Sequence, residues 1–377
     1  MSDAAPSGPL ADVRVLEIGG IGPVPFAGML LADMGADVLR VDRSPREATP
    51  APTDPTRRGR QAVALDLKSP GGRDALLSLA ARADALIEGF RPGVMERMGL
   101  GPDELAAHNP RLVYGRMTGY GQDGPMSGVA GHDINYISLA GVLGSSRRSG
   151  ERPMFAMNLV GDYGGGALFL CLGVVAAILA ARRTGAGQTV DAAMVDGAAL
   201  LTSLVYTLHG DGLWGHEPGR NLLDTGAPFY EVYATADGGH VAVGALEPQF
   251  YARLLELLEI PIDEMPQYDR KRWPEFKRRL ERVFAARDTT TWERRLEHDE
   301  ACATVVRDVF SAPHHPHLIA RGTFVDVGGA RQPGPAPRFG GTPSVARPAR
   351  AEPDAALERW GLDRAAREAL RASGALG

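Results

Sequence analysis

Cysteine is almost missing. The chain has two in 377 residues, Cys171 and Cys302, far apart and outside any metal-ligand spacing. That excludes a disulfide framework and a cysteine-built zinc site, and it points to a reduced, cytoplasmic setting. Net charge is small as well, −5 at neutral pH with an isoelectric point of about 6.0. No general attraction to nucleic acid or to an anionic membrane follows from it, so neither partner is expected. An anionic ligand must instead be held by a local cluster of Arg and Lys. Long apolar runs are also lacking. The longest, residues 167–181, is too short to span a bilayer and is interrupted by Gly173, so a buried helix is expected there. Residues 1–9 are small and polar without an apolar centre, and no signal peptide is expected. There is no Gly-x-Ser-x-Gly elbow, no Walker loop and no His-Glu-x-x-His. His314-His315-Pro316-His317 has neither helical i,i+4 spacing nor nearby carboxylates, so no metal site is expected.

What is present is ordinary for a soluble globular chain: 44% hydrophobic and 23% charged residues. The length exceeds what one compact core holds, so two domains are expected. Residues 13–18 read as a buried strand, followed by the turn Gly19-Gly20-Ile21-Gly22-Pro23, a helix over 25–34 and a second strand over 36–41. This β-α-β unit implies a parallel sheet with a right-handed crossover. The turn resembles the start of a dinucleotide fingerprint. Pro25 stands in place of the third glycine, however, and prolines remove donors that a pyrophosphate needs, so a tight structural turn is preferred.

More α/β alternation follows. Strands are expected at 62–67, 85–87 and 111–114, with helices at 71–83, 168–182 and 192–208. Two alternating segments, 229–234 and 240–245, flank Asp237-Gly238-Gly239 and read as a hairpin. A helix opens at Glu247-Pro248, with proline in the first turn. A Pro- and Gly-rich stretch, 311–348, crosses the surface back to the first domain, and 357–372 reads as one amphipathic helix. The expected division is a large domain of 1–205 and 331–377, a small α+β domain of 226–325, and linkers at 206–225 and 326–330.

Three groups of residues carry chemistry. Arg40, Arg43, Arg57, Arg58, Arg60, Lys68, Arg91 and Arg97 fall near strand ends or loops. In parallel α/β sheets ligands gather at the carboxyl ends of strands. Arg43, Lys68 and Arg91 each follow one strand and can meet in one crevice around phosphates. The plain alternative is solvated surface charge. The second group is Gly131-His132-Asp133-Ile134-Asn135-Tyr136. A helical pattern begins just after His132, and a helix N-terminus disfavours imidazolium, which leaves the ring able to accept a proton. The alternative is a loop histidine bonded to backbone. The third is Asp162 ahead of Tyr163-Gly164-Gly165-Gly166. Aspartate is a good helix N-cap. A cap alone needs no triple glycine, so close approach of a ligand is expected, with freed N–H groups at hand for a developing oxyanion. Glu247, by its position, reads as a first-turn acid favoured by the helix dipole.

With these segments assembled, the chain resembles the family III CoA-transferase superfamily, and within it the racemases of 2-methylacyl-CoA thioesters. Gly131 to Tyr136 matches the segment with the histidine base, and Asn158-Leu159-Val160-Gly161-Asp162 the segment with the aspartate. Glu247-Pro248-Gln249-Phe250-Tyr251 matches a family acid that supports the histidine from the partner subunit. Val41-Asp42-Arg43, Leu65-Asp66-Leu67-Lys68, Glu88-Gly89-Phe90-Arg91-Pro92-Gly93 and Arg97 match segments that hold CoA. Phe155-Ala156-Met157 departs from a more proline-rich family stretch.

The resemblance implies an α/β fold: a Rossmann-like large domain with a parallel sheet, a smaller α+β domain, and two chains interlocked as a homodimer. It also implies 1,1-proton transfer on an acyl-CoA thioester. His132 and Asp162 would serve as the two acid-base groups and Glu247 as support. CoA is part of the substrate, and no separate cofactor is required. Arg43, Leu65, Asp66, Leu67, Lys68, Gly89, Phe90, Arg91, Arg97, Gly131, Asp133, Ile134, Asn135 and Tyr136 would bind the substrate. Met117, Met126, Met154, Met157 and Met194 offer a soft apolar surface for variable acyl chains. The alternative is a CoA transferase of the same superfamily, in which an Asp carboxylate attacks the thioester. It needs an Asp but has no use for His132.

Overall fold

The computed structural model describes residues 7–49, 54–350 and 352–377. The chain forms two compact units. The first comprises residues up to Ala140, Ala156–Leu201 and Pro316–Gly377; the second comprises Gly141–Phe155 and Thr202–His315.

The first unit is built on six parallel strands: β1 (Arg14–Ile18), β2 (Asp37–Asp42), β3 (Gln61–Ala64), β4 (Ala85–Glu88), β5 (Val113–Thr118) and β6 (Thr189–Ala193). Their order in the sheet is β3-β2-β1-β4-β5-β6. Register is set by pairs such as Val15 with Val38 on one side and with Ala85 on the other. The chain order reverses between β1 and β4, which opens a crevice beyond the carboxyl ends of these two strands. β1 to β5 are buried on both faces, so their side chains divide by the two-residue period. Leu16, Leu39, Val63 and Leu86 pack with Leu76, Leu79 and Trp360 on one face. Val15, Val38, Ile87 and Val113 pack with Leu31, Leu170 and Val174 on the other.

The expected strands and helices of this unit are present within a few residues, with three exceptions. β6 lies inside a segment bridging the 168–182 and 192–208 expectations. It is short, carries Asp191 and is exposed at its first residues, so it lacks an apolar signature. The helix expected over 192–208 is therefore two: Met194–Leu200 and Ser203–Gly210. The helix expected over 357–372 is also two, Pro353–Arg359 and Arg364–Ala372. Gly361 breaks it at φ 85°, and Asp363 caps the second piece by accepting from Ala366 N–H at 2.8 Å.

The apolar run is longer than expected. Leu159–Ala167 is a π-helix that continues into the α-helix Leu168–Thr184, so 26 residues are helical without interruption. Half of its most apolar window is buried. Gly115 in β5 lets it lie close: a Cβ there would stand 2.9 Å from Leu170 Cδ1 and from Val174 Cγ2.

The second unit contains an antiparallel sheet ordered β7-β8-β9: β7 (Tyr230–Ala234), β8 (His240–Gly244) and β9 (Ala303–Val305). The expected hairpin turn is there, with Gly238 at φ 82° and Asp237 accepting from Thr235 Oγ1 at 2.6 Å. Helices Pro248–Leu257, Trp273–Phe284 and Thr289–Leu296 cover a core of Phe229, Tyr233, Leu254, Trp273, Phe276 and Trp292.

The expected boundaries shift. Residues 141–155 belong to this second unit, where Arg148 pairs with Glu231 at 2.7 Å. The return begins at Pro316, earlier than the 326–330 linker. Hairpin strands β10 (Phe324–Val327) and β11 (Ala330–Pro333) belong to the first unit and are tied down by Arg58, which donates to Gln332 Oε1 at 2.9 Å and to the Pro333 carbonyl at 2.5 Å.

Candidate active site

The loop after β1 is shaped by glycine. A Cβ on Gly19 would lie 2.3 Å from Asp42 Oδ1, and Gly22, at φ 75°, begins the helix Pro23–Asp33. Gly22 faces Asp162, whose Oδ2 is 3.7 Å from where a Cβ would stand. Gly89, after β4, packs against Val24 of the same helix. The loop after β4 therefore meets the first turn of that helix, and Asp162 stands beside the loop after β1.

Asp162 is not a helix cap. It lies within the π-helix, whose N-cap is Asn158. A π-turn holds one residue more than an α-turn and frequently marks functional positions. Tyr163 stacks on Phe26 with ring centroids 4.3 Å apart, which fixes the turn on the first helix. Asn158 donates from Nδ2 to Asp162 Oδ2 at 3.1 Å. The carboxyl is half-buried, and that burial pushes it above the usual aspartate range. Asp133 adds to the rise, while the Asn158 bond and the nearby His132 oppose it. His132 and Asp162 are thus electrostatic neighbours in one unit.

The glycines after Tyr163 serve packing. A Cβ on Gly165 would lie 2.5 Å from Ala198 N, and one on Gly197 would lie 1.8 Å from the Gly165 carbonyl oxygen. The helix Met194–Leu200 crosses the π-helix at this contact. Close approach is real, but the approaching group is backbone, not ligand. Two N–H groups ahead of these glycines are engaged within the protein: Gly161 and Asp162 both donate to Asp133 Oδ2, at 2.6 and 2.8 Å.

His132 is the N-cap of the helix Asp133–Leu139 and is exposed. Its N–H donates to Asn135 Oδ1 at 3.0 Å. The hydroxyl of Tyr136 donates to the Gly131 carbonyl, and its ring meets Tyr120 edge-on at 5.0 Å. That hydroxyl is pushed up to about 12, first by burial and then by the Asp162 charge; Arg91 opposes the shift. One neighbourhood therefore holds His132, Asp133, Tyr136, Asp162 and Arg91.

The residues expected to hold CoA divide into two sets. Arg43, Lys68, Arg91 and Arg97 are exposed and follow β2, β3 and β4; Arg43 pairs with Glu47 at 2.5 Å on the surface. Asp66, Gly89, Ile134 and Asn135 are exposed as well, while Leu67, Phe90 and Gly131 are half-buried. Leu65, Asp133 and Tyr136 are buried: Leu65 belongs to the core, while Asp133 Oδ2 and the Tyr136 hydroxyl bond backbone.

Arg40, Arg57, Arg58 and Arg60 are not ligand-facing cations. Arg40 pairs with Glu17 and Asp42, Arg57 with Asp42, Arg58 with Asp33 at 2.5 Å, and Arg60 with Glu17. Gly28 leaves room for this network, since a Cβ there would lie 2.0 Å from Glu17 Oε2. Met117 and Met194 are core residues, whereas Met154 and Met157 are exposed.

Glu247 lies in the second unit, exposed, as N-cap of the helix Pro248–Leu257, and its side chain makes no cap hydrogen bond. The same unit corrects one expectation about His315. Carboxylates do surround it: Glu297 Oε1 bonds its Nε2, and Glu293 lies one turn earlier. Arg307 pairs with Glu293 and lies 3.6 Å from Glu297, so the group is a closed ion-pair network. Asn158 was not among the expected site residues. Its signal was the i,i+4 spacing of an amide ahead of a carboxylate on one helix face.

A dinucleotide-like sheet whose switch point carries an aspartate, a histidine and loop arginines defines a class, and comparison with known proteins agrees. The chain belongs to the CoA-transferase family III, whose model matches residues 10–356. Among curated proteins it is 46% identical over 340 residues to the α-methylacyl-CoA racemase of Mus musculus, covering 89% of this chain and 88% of that protein. It is 43% identical over 344 residues to the Homo sapiens α-methylacyl-CoA racemase, with the same coverage of both. A crystal structure of a hypothetical protein from Mycobacterium tuberculosis superposes with a TM-score of 0.78 at 27% identity, covering 94% of this chain and 100% of that one.

Proposed function

We infer that this protein is a racemase interconverting (R)- and (S)-2-methylacyl-CoA thioesters. The observation that carries the reading is the pairing of His132 with a half-buried Asp162 whose carboxyl is raised by burial. It is supported by the identity to the two mammalian racemases. A CoA transferase needs the carboxylate but not the imidazole.

The chemistry follows from the substrate. The thioester acidifies its α-carbon, because the enolate formed on losing the proton is delocalised onto the carbonyl oxygen. In the (S) to (R) direction His132 takes the α-proton and the C–H bond pair moves into the enolate. Asp162, protonated, then delivers its proton to the opposite face. The reverse direction exchanges the roles. A carboxyl raised toward the working pH suits such a task. Arg43, Arg91 and Arg97 hold the CoA phosphates beyond the strand ends.

The active form we propose is an interlocked cytoplasmic homodimer, with Glu247 supporting the histidine of a second copy. In the first unit, Leu172, Leu179 and Leu200 expose 66%, 68% and 59% of their surface, and a second copy would cover them.

Deuterium wash-out tests the reading. A single epimer of a 2-methylacyl-CoA is incubated in D₂O with no acceptor acid. The racemase incorporates α-deuterium and loses optical purity. Incorporation only after an acceptor acid is added, with transfer of CoA, would overturn it in favour of a transferase.

A further inference from the structure

The residue next to His132 is bound to the residue that faces it. Asp133 is buried, with 4% exposure, and Gly161 and Asp162 both donate their N–H groups to one of its oxygens, Oδ2. Its other oxygen, Oδ1, is buried and has no hydrogen-bond partner among the described residues. Gly161 has to be glycine for this contact, since a Cβ there would lie 2.8 Å from Asp133 Oδ2. One side chain at the start of the His132 helix thus ties down the π-turn of Asp162.

We propose that Asp133 is the positioning residue of Asp162: its carboxylate fixes the turn that carries Asp162, and its charge disfavours a second ionisation beside it. This rests on the two-base reading above, in which Asp162 must hold a proton when His132 acts as base. A like charge close by disfavours a second ionisation, and burial strengthens the effect.

Burial raises Asp162 most; of the charges acting on it, Asp133 adds to the rise and His132 opposes it. The helix beginning at Asp133 also brings His132 and Tyr136. Asn158 contacts Asp162 from its own helix, and Arg91 reaches Tyr136 from the loop after β4. The loop after β1 contributes Gly22, and the first helix Phe26, neither of them charged. At the far end of that helix Asp33 is engaged with Arg58. On the helix Met194–Leu200, Asp196 is exposed and acts on Asp191, whose carboxylate accepts from Gln122 N–H. In β5, Arg116 is engaged by Glu88 and Glu96.

The test uses the full chain and three variants. Asp133→Asn can place its amide oxygen where Oδ2 stands and keep both backbone bonds while losing the charge. Asp133→Ala loses both. Asp133→Ser is small and neutral, and serves if the asparagine variant does not fold. The Asp162 carboxyl is titrated by ¹³C NMR, its resonance assigned by its loss in Asp162→Asn. The pH profile of α-proton wash-out is measured beside it. In Asp133→Asn the Asp162 midpoint falls by roughly one pH unit or more, and the high-pH limb of kcat/KM for the (S) epimer, which needs Asp162 protonated, moves the same way. In Asp133→Ala racemisation falls about 10²-fold through misplacement. An unchanged Asp162 midpoint in the neutral variant, or full activity in Asp133→Ala, overturns the proposal. The titration needs no turnover. Failure of wash-out in the wild type therefore refutes the racemase alone and still leaves Asp133 to be judged by the titration.

Discussion

Replacing Asp162 by asparagine separates a working carboxyl from a structural one. The π-helix is capped by Asn158, and its first free N–H groups go to Asp133, so Asp162 contributes no cap. What its side chain loses on substitution is one contact with Asn158 at 3.1 Å, worth about 1 kcal/mol. Against that stands the cost of a half-buried charge. The folded carboxyl titrates above its unfolded value, so its contribution to stability is fully present below the unfolded value and is lost as pH rises through the folded one. Where the carboxyl is ionised it burdens the fold, and asparagine removes that burden. The two effects oppose, and the net change should stay within about 1 kcal/mol, a melting shift of roughly 2–4 °C at most. Racemisation should fall by about 10²–10⁴, the range for one general acid-base group. Exchange of the (S) epimer's α-proton in D₂O should survive slowly through His132. Thermal midpoint, racemisation and single-epimer exchange on one preparation decide it. A variant that melts early and racemises normally would show that Asp162 is merely structural.

Arg91→Ala should raise KM for the thioester roughly tenfold or more, the cost of a lost charged hydrogen bond, with an unchanged melting point; an unchanged KM removes Arg91 from the CoA site. Arg58→Ala should do the opposite, since it orphans buried Asp33 and costs about 3–5 kcal/mol, read by denaturant unfolding. Glu88 at the end of β4 is pushed up to about 7, chiefly by burial. Its stabilising contribution is therefore lost as pH rises from about 4.5 through about 7. The melting point should carry a fall across that window that Glu88→Gln abolishes; an identical pH dependence in the variant would refute the assignment. Co-refolded His132→Ala and Glu247→Ala chains should regain part of the activity if two copies share a site, and no recovery in verified heterodimers counts against sharing. Gly197→Ala puts a Cβ against the Gly165 carbonyl and should cost about 1–3 kcal/mol by overpacking, together with a loss of racemisation, because the π-helix must move.

Most of the first unit could be read from the chain because β1 to β5 are buried on both faces, and residues such as Val15, Leu16 and Ile87 leave an apolar signal that single charged residues such as Glu17 and Arg40 interrupt without erasing. β6 could not, because an exposed edge strand with Asp191 has no such pattern. The π-turn was equally hidden: its signal, three glycines, was visible, but glycine permits backbone contact as readily as ligand contact, and only the position of Gly197 distinguishes them. His132 and Asp162 stood out by type and setting, and the structure sets them as electrostatic neighbours. Asp133 was placed with the ligand, whereas its carboxylate bonds backbone 28 residues away, a pairing that no local spacing encodes. Arginines near strand ends looked alike in sequence, since burial depends on acids such as Glu17 and Asp33 that are distant in the chain.

That last distinction separates two kinds of arginine by their response to salt. Arg40, Arg58 and Arg60 face their acids where little solvent enters, with side-chain exposures of 6%, 5% and 2%. Mobile ions screen such pairs weakly. Arg43 and Arg91 stand in water, where screening acts within about 8 Å at physiological ionic strength. Raising ionic strength should therefore loosen the grip on a polyanionic ligand long before it loosens the fold. Affinity and stability are governed by the same kind of side chain, yet one can be tuned by the medium while the other is insulated from it.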